Sequence, residues 1–240
     1  MRDFLTSYRL LLRLVLGKAR LIALGGLGAL GLLMGVALRG SGRPAKEQAD
    51  AISRLLVGGF GMNLVVPITA LVFASAVLGD PAEDKTLVHL WLTPVPRWRI
   101  TIAGTLAAFS VAGPVGVLPL LGGVALAGGS LRLVLSTALG AALASAAFTT
   151  AFVWLGLLVR RALPWGGAYL FIWELAVARL ARGAARLSIT IHARSIIAHL
   201  AHLEPPRNQS SSVLAFSVLA SIIIGSLGIT TWALRRVDVA

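Results

Sequence analysis

Few residues in this chain could do chemistry, and most of them stand inside apolar sequence. Glu174 is the acidic residue set well within a long hydrophobic run. Inserting a carboxylate into a bilayer costs about 2.5–3.5 kcal/mol on translocon scales, so an intramembrane acid is a functional candidate by default. The alternative is that its run ends early and Glu174 reaches the headgroup zone beside Arg179 or Arg182. His192, His199 and His202 follow at spacings of seven and three, near one side of an expected helix. No carboxylate shares that short face, which favours interfacial or surface histidines over a zinc site and leaves no metal expected.

Other patterns exclude chemistries. Gly26-Leu27-Gly28-Ala29-Leu30-Gly31 matches G-x-G-x-x-G but lies inside an apolar run with no strand before it, which argues against dinucleotide binding. Gly25, Gly28, Gly31 and Gly35 instead make a smooth helix face for close packing, within the chain or in a dimer, and Gly31 and Gly35 form a G-x-x-x-G pair. No G-x-x-x-x-G-K-[ST] loop exists, since Gly17-Lys18 is followed by Ala19 and preceded by Leu12 in the first glycine's place. The chain therefore binds no recognisable nucleotide or other cofactor of its own. Asn208-Gln209-Ser210 fits a glycosylation sequon, and with no cysteine there is neither a disulfide framework nor a thiolate metal site.

The surroundings of these residues are those of a membrane protein. Hydrophobic residues form 57% of the 240 and charged ones 13%, about half the charged share of a soluble domain. Apolar runs long enough to cross a hydrocarbon core of about 30 Å occupy Leu21–Leu38, Leu55–Leu78, Ile100–Ala127, Leu133–Leu158, Leu163–Ala178 and Val213–Leu234. The runs are continuous rather than alternating, so helices are expected and not barrel strands. The net charge of +13 lies in segments flanking these runs, where anionic lipid headgroups explain it better than nucleic acid.

The expected architecture is one all-α transmembrane domain over 1–240, with six spans and both termini on one face. Twelve Lys and Arg residues would lie on the face of the termini and ten on the other, a weak bias towards a cytoplasmic N-terminus. Trp98, Trp154, Trp165 and Trp232 fall near same-side ends of the last four spans, as an interfacial belt would. Residues 1–20 read as a basic amphipathic interfacial helix, with Phe4, Tyr8, Leu11, Leu12 and Val15 opposite Arg2, Arg9, Arg13 and Arg20. Residues 179–212 are basic and amphipathic, fit either to cap a cavity or to lie flat. Pro67 cannot bond to the carbonyl of Asn63 and should bend the second span, while Pro114 and Pro119 should interrupt the third.

The most informative stretch is 80–99. Asp80 is suited to an N-cap, Pro81 to the first helical position and Glu83 to a capping-box-like pattern, so a short helix should follow the second span. Leu87, Leu90 and Trp91 make its apolar ridge, and Pro94 and Pro96 end it. Glu83–Ile100 resembles the loop between the second and third spans of ABC-2 type permeases, membrane subunits of bacterial ABC exporters. That family carries one or two acids, then Gly-Thr-Leu, a Leu-rich turn, Leu-Pro-Val and Ser-Arg. Here Thr86-Leu87, Leu90, Leu92, Pro94-Val95 and Arg97 stand in matching places, while Lys85, Thr93 and Pro96 depart.

The resemblance implies a coupling helix in a cytoplasmic loop. Its ATPase-docking residues would be Glu83, Asp84, Thr86, Leu87, Leu90, Trp91, Pro94 and Arg97. It implies a second permease protomer, same or related, and two ATP-binding-cassette ATPase subunits that hold ATP and magnesium. This chain would not itself be an enzyme, and it would sit in the plasma membrane. Its cargo would be hydrophobic or amphipathic. Candidate path residues are Asn63, Pro67, Thr149, Glu174 and Ser217. The rival readings are a non-transporting scaffold that uses the loop to dock a partner, and, more remotely, a membrane enzyme built on the histidines and Glu174.

Overall fold

A computed structural model describes residues 2–83, 96–159, 161–177, 186–203 and 211–236. Among these residues every regular element is a helix. In chain order they are α1 (Arg2–Val15), α2 (Lys18–Arg39), α3 (Ala45–Ala51), π1 (Ile52–Val65), α4 (Val66–Glu83), α5 (Arg97–Leu126) and α6 (Leu131–Leu158). There follow α7 (Ala162–Ala168), π2 (Tyr169–Val177), α8 (Ile189–Ala201) and α9 (Ser212–Arg236). The labels π1 and π2 mark i→i+5 helices.

Five helices are long and apolar enough to cross a membrane: α2, the continuous α3–π1–α4 up to Val77, α5, α6 and α9. The fold is thus that of an all-helical chain compatible with a multi-pass membrane protein. The expected fifth run corresponds to the α7–π2 pair, seven residues followed by nine, beyond which 178–185 lie outside the described residues.

The bundle is organised around α5 and α6. Of the four glycines read as a packing face, Gly28, Gly31 and Gly35 of α2 face inward and Gly25 is exposed. A Cβ on Gly28 would meet the Pro119 ring at 2.8 Å, one on Gly31 the Phe60 ring at 3.1 Å, and one on Gly35 the backbone of Gly123. The packing is therefore within the chain. Gly35→Ala should force α2 away from α5 and cost about 1–3 kcal/mol. Gly25→Ala, which meets nothing within 4 Å, should be neutral or slightly stabilising. Melting temperatures of the two purified variants check this pair directly.

At the far ends of these helices Gln48 donates from Nε2 to Leu38 O at 3.0 Å and Ala127 O at 2.9 Å. One amide thus satisfies orphan carbonyls at the C-termini of both α2 and α5. At the near end α1 buries Leu11 and Val15, and Tyr8 donates to Ser110 Oγ at 3.0 Å. The apolar edge read from the sequence packs on protein, while Leu10 and Leu14 remain exposed beside Arg9 and Arg13. The helix ends at Val15, five residues before the expected boundary.

Three expectations are corrected. Asp80 and Pro81 do not start a new helix; α4 continues through them to Glu83. Gly79 is the residue that could have broken it, and it is held against α6, its Cβ position 3.4 Å from Gly156 O. Pro114 and Pro119 do not interrupt α5, which is continuous over 30 residues. Inside a bundle neighbouring groups compensate for the lost backbone bonds, and Pro119 is packed against Gly28. Finally α8, the described core of the 179–212 segment, does not lie flat. Ile189, Ala193, Ile196 and Ile197 are buried against the bundle, where the Cβ of a residue at 140 would strike Ile197 and Ala193 O.

Candidate functional site

Contacts along α6 fix the depth of α8. Gly140 lies beside Ala193, nine residues from the N-terminus of α6, or about 14 Å. Leu200 shares a surface groove with Leu131, Leu135 and Leu139, at the very start of α6. The N-terminus of α8 is four residues beyond Ala193, so it lies about 20 Å along α6. From the other face, π2 approaches the same level. Tyr169 packs edge-on to Phe152 with ring centroids 6.2 Å apart, and Phe152 stacks on Phe148 at 5.8 Å. Glu174 stands one further turn along. Two half-length helices thus meet near the middle of the bundle.

Glu174 makes the join. Its carboxylate accepts from Ser188 Oγ at 2.5 Å, from the Ile189 backbone N–H at 3.0 Å and from Tyr169 Oη at 3.2 Å. Ser188 is the N-cap of α8 and also accepts from the Ile191 N–H at 3.1 Å. Glu174 is 3% exposed, and the described groups that hydrogen-bond to it are neutral donors. Hydrogen bonds to a charged group contribute about 1.5–3 kcal/mol each, and the positive end of the α8 dipole adds to them. Two such bonds already offset the insertion cost of the charge. The reading in which Glu174 reaches a headgroup zone does not match this buried setting; Arg179 and Arg182 lie outside the described residues.

The opposite wall is the π1–α4 junction. The Val66 N–H bonds to Gly61 O, an i→i+5 step, and Pro67 follows with no N–H to offer Met62 O in that register. Thr190 of α8 points its hydroxyl at Met62 O, 3.5 Å away. Asn63 is buried beside it. The expected bend at Pro67 is thus realised as a change of helix type. Arg194 lies across Gly58 of π1, its guanidinium 2.8 Å from where a Cβ would stand. A side chain at 58 would displace the Arg194 guanidinium from this place.

The candidate path residues therefore separate. Glu174 holds the N-terminus of α8, while Asn63 and Pro67 belong to the π1–α4 junction that Thr190 faces. Thr149 is fully buried on α6, and its hydroxyl has no hydrogen-bond partner among the described residues; Thr137 and Ser145 share that state and that helix face at four- and eight-residue steps. An unpaired buried hydroxyl costs about 1–3 kcal/mol, so this polar stripe is not there for stability. Ser217 belongs to none of this. It faces outward on α9 and donates to Leu214 O at 2.9 Å.

Two of the histidines meet backbone carbonyls, and the third ends a helix. His192 is 1% exposed with Nε2 2.9 Å from Arg186 O, and His199 Nδ1 is 2.8 Å from Ser195 O. His202 ends α8 in the left-handed conformation. Among the described residues no group of three or more His, Asp or Glu could hold a metal ion.

Of the docking residues, Arg97 opens α5 and Glu83 ends α4. Asp84, Thr86, Leu87, Leu90, Trp91 and Pro94 lie outside the described residues, as does the sequon at Asn208. Sequence reasoning missed Tyr169, Ser188 and Thr190. Ser188 had a visible signal, a serine immediately before an apolar-periodic run. The other two depend on contacts between segments far apart in the chain. No known family model matches the chain, and neither does any curated protein.

Proposed function

We propose that this chain is the membrane permease subunit of an ATP-driven exporter of the ABC-2 kind. In this reading the membrane crossings number six, the fifth being α7–π2 continued by α8 as a broken helix. Two protomers face each other, and two ATPase subunits beneath them hold ATP and magnesium. The 84–95 loop is the coupling helix. The chain sits in the plasma membrane with both ends cytoplasmic, and α1 lies at that interface. It hydrolyses nothing itself, and its cargo is hydrophobic or amphipathic.

One observation carries the reading: a half-helix begins in the middle of an apolar bundle, held there by a carboxylate. Continuous helices satisfy every backbone group in lipid, so a simple anchor or scaffold gains nothing from an interrupted one. Transporters place discontinuous helices where a binding site or gate is needed, and their half-helix ends carry usable dipoles. The unpaired hydroxyls of Thr137, Ser145 and Thr149 add polar groups inside the same bundle. The loop resemblance at Glu83–Ile100 supplies the energy source.

Reconstitution tests this. In proteoliposomes holding the chain with its co-purified ATPase, amphipathic compounds should stimulate ATP turnover and become ATP-dependently enriched on one side. Docking without stimulated turnover or net movement would instead establish the scaffold.

A further inference from the structure

At the face where the chain begins and ends, α5 and α9 leave a groove of about 410 Å³ between them. Its floor is apolar, formed by Ile102 of α5 with Ile224, Leu227 and Gly228 of α9. Its mouth is aromatic and basic. Trp98 and Trp232 flank it and Arg235 lines it. Arg99 lies over the Trp98 ring at 5.3 Å and Arg236 over the Trp232 ring at 4.1 Å. Among the described residues no acidic side chain lines it. From Ile224 to Arg235 the groove follows α9 for about 16 Å, along the direction in which a lipid chain lies.

We infer that this groove is a binding site for one anionic phospholipid, its phosphate at Arg99, Arg235 and Arg236 and an acyl chain over Gly228. Charge complementarity selects the occupant. Three guanidiniums gathered at the mouth, with no carboxylate among the described residues that line it, call for an anion, and the apolar floor calls for a chain attached to it. Stacking on the indoles holds two of the guanidiniums by their faces, which leaves their N–H edges to point at phosphate oxygens. The tryptophans mark the headgroup level, where such a phosphate lies. Gly228 is the notch that admits the chain, because a Cβ there would meet nothing within 4 Å. The same openness makes the site testable, since a larger residue at 228 fills the groove without striking the protein. This inference rests on the chain crossing a membrane and not on the transport reading.

The test is native mass spectrometry of the full-length protein released from nanodiscs of equal phosphatidylglycerol and phosphatidylcholine. Wild type should retain one phosphatidylglycerol in preference to phosphatidylcholine. Arg235→Ala should lower that retention roughly fivefold, the worth of one arginine near an anionic surface. Gly228→Leu should abolish it. Gly225→Leu, at a second open position outside the groove, should leave it unchanged and show that a leucine on α9 is tolerated. Equal retention of the two lipids would overturn the inference, as would phosphatidylglycerol retention indifferent to Gly228→Leu. A dimer lost in Gly228→Leu, with lipid retention unaltered, would assign the groove to a second copy instead.

Discussion

Glu174→Ala is expected to destabilise the bundle by about 2–4 kcal/mol, read as a fall in melting temperature of the detergent-solubilised protein. The substitution strands three donors at once: the hydroxyls of Ser188 and Tyr169 and the backbone N–H of Ile189. Each unpaired buried donor costs about 1–3 kcal/mol, and removing the carboxylate's own insertion cost returns part of the sum. Glu174→Gln keeps an acceptor oxygen for the Ile189 N–H, and the Ser188 hydroxyl can turn to accept, so it should lose much less. A double-mutant cycle with Ser188→Ala should be strongly non-additive, because the two residues form one network. The carboxylate then acts as a positioning group for α8. Glu174→Gln should slow transport while leaving the melting temperature close to wild type. Alanine at 174 with unchanged melting would remove Glu174 from its structural place.

The second large effect concerns the loop. Replacing Leu87 and Trp91 together with Asp should release the ATPase subunit or uncouple it, cutting cargo-stimulated ATP hydrolysis to its basal level. Burying even one unpaired carboxylate in an apolar docking groove costs several kcal/mol, enough to shift an interface by two or more decades in affinity. The bundle itself should survive, and a melting temperature close to wild type in the double variant checks this. Unchanged coupling in the double variant would remove the docking role from this loop.

How much of this was legible in the sequence differs from element to element, for physical reasons. The glycine face of α2 was readable because close packing of helices demands small residues at fixed spacing, and Gly28, Gly31 and Gly35 meet that demand on one face. The long apolar runs were readable because bilayer thickness sets their length. Their ends were less so. Asp80-Pro81 carries every local sign of a helix start, yet α4 passes through it, held by a contact between Gly79 and Gly156 that no local pattern records. The prolines of α5 were misread for the same reason, since the helix around them is held by packing against neighbours distant in sequence, Pro119 against Gly28 among them. At the site, Glu174 announced itself by its cost. Its partners did not, because Ser188 and Tyr169 lie on opposite sides of it in the chain and come together only at its carboxylate. The π-helical form of 52–65 has no compositional mark beyond Pro67 at its end. Ser217 shows the converse error: a serine in a transmembrane run needs no path to satisfy it when a carbonyl three residues back is available.

The central claim, that this bundle is driven by a separate ATPase, is tested most directly by gentle affinity purification of the full chain from its native membrane, with mass spectrometry of what accompanies it. A stoichiometric P-loop ATPase that is present with wild type and absent with Leu87→Asp/Trp91→Asp is the predicted result. A chain that repeatedly purifies intact with no such ATPase would contradict it.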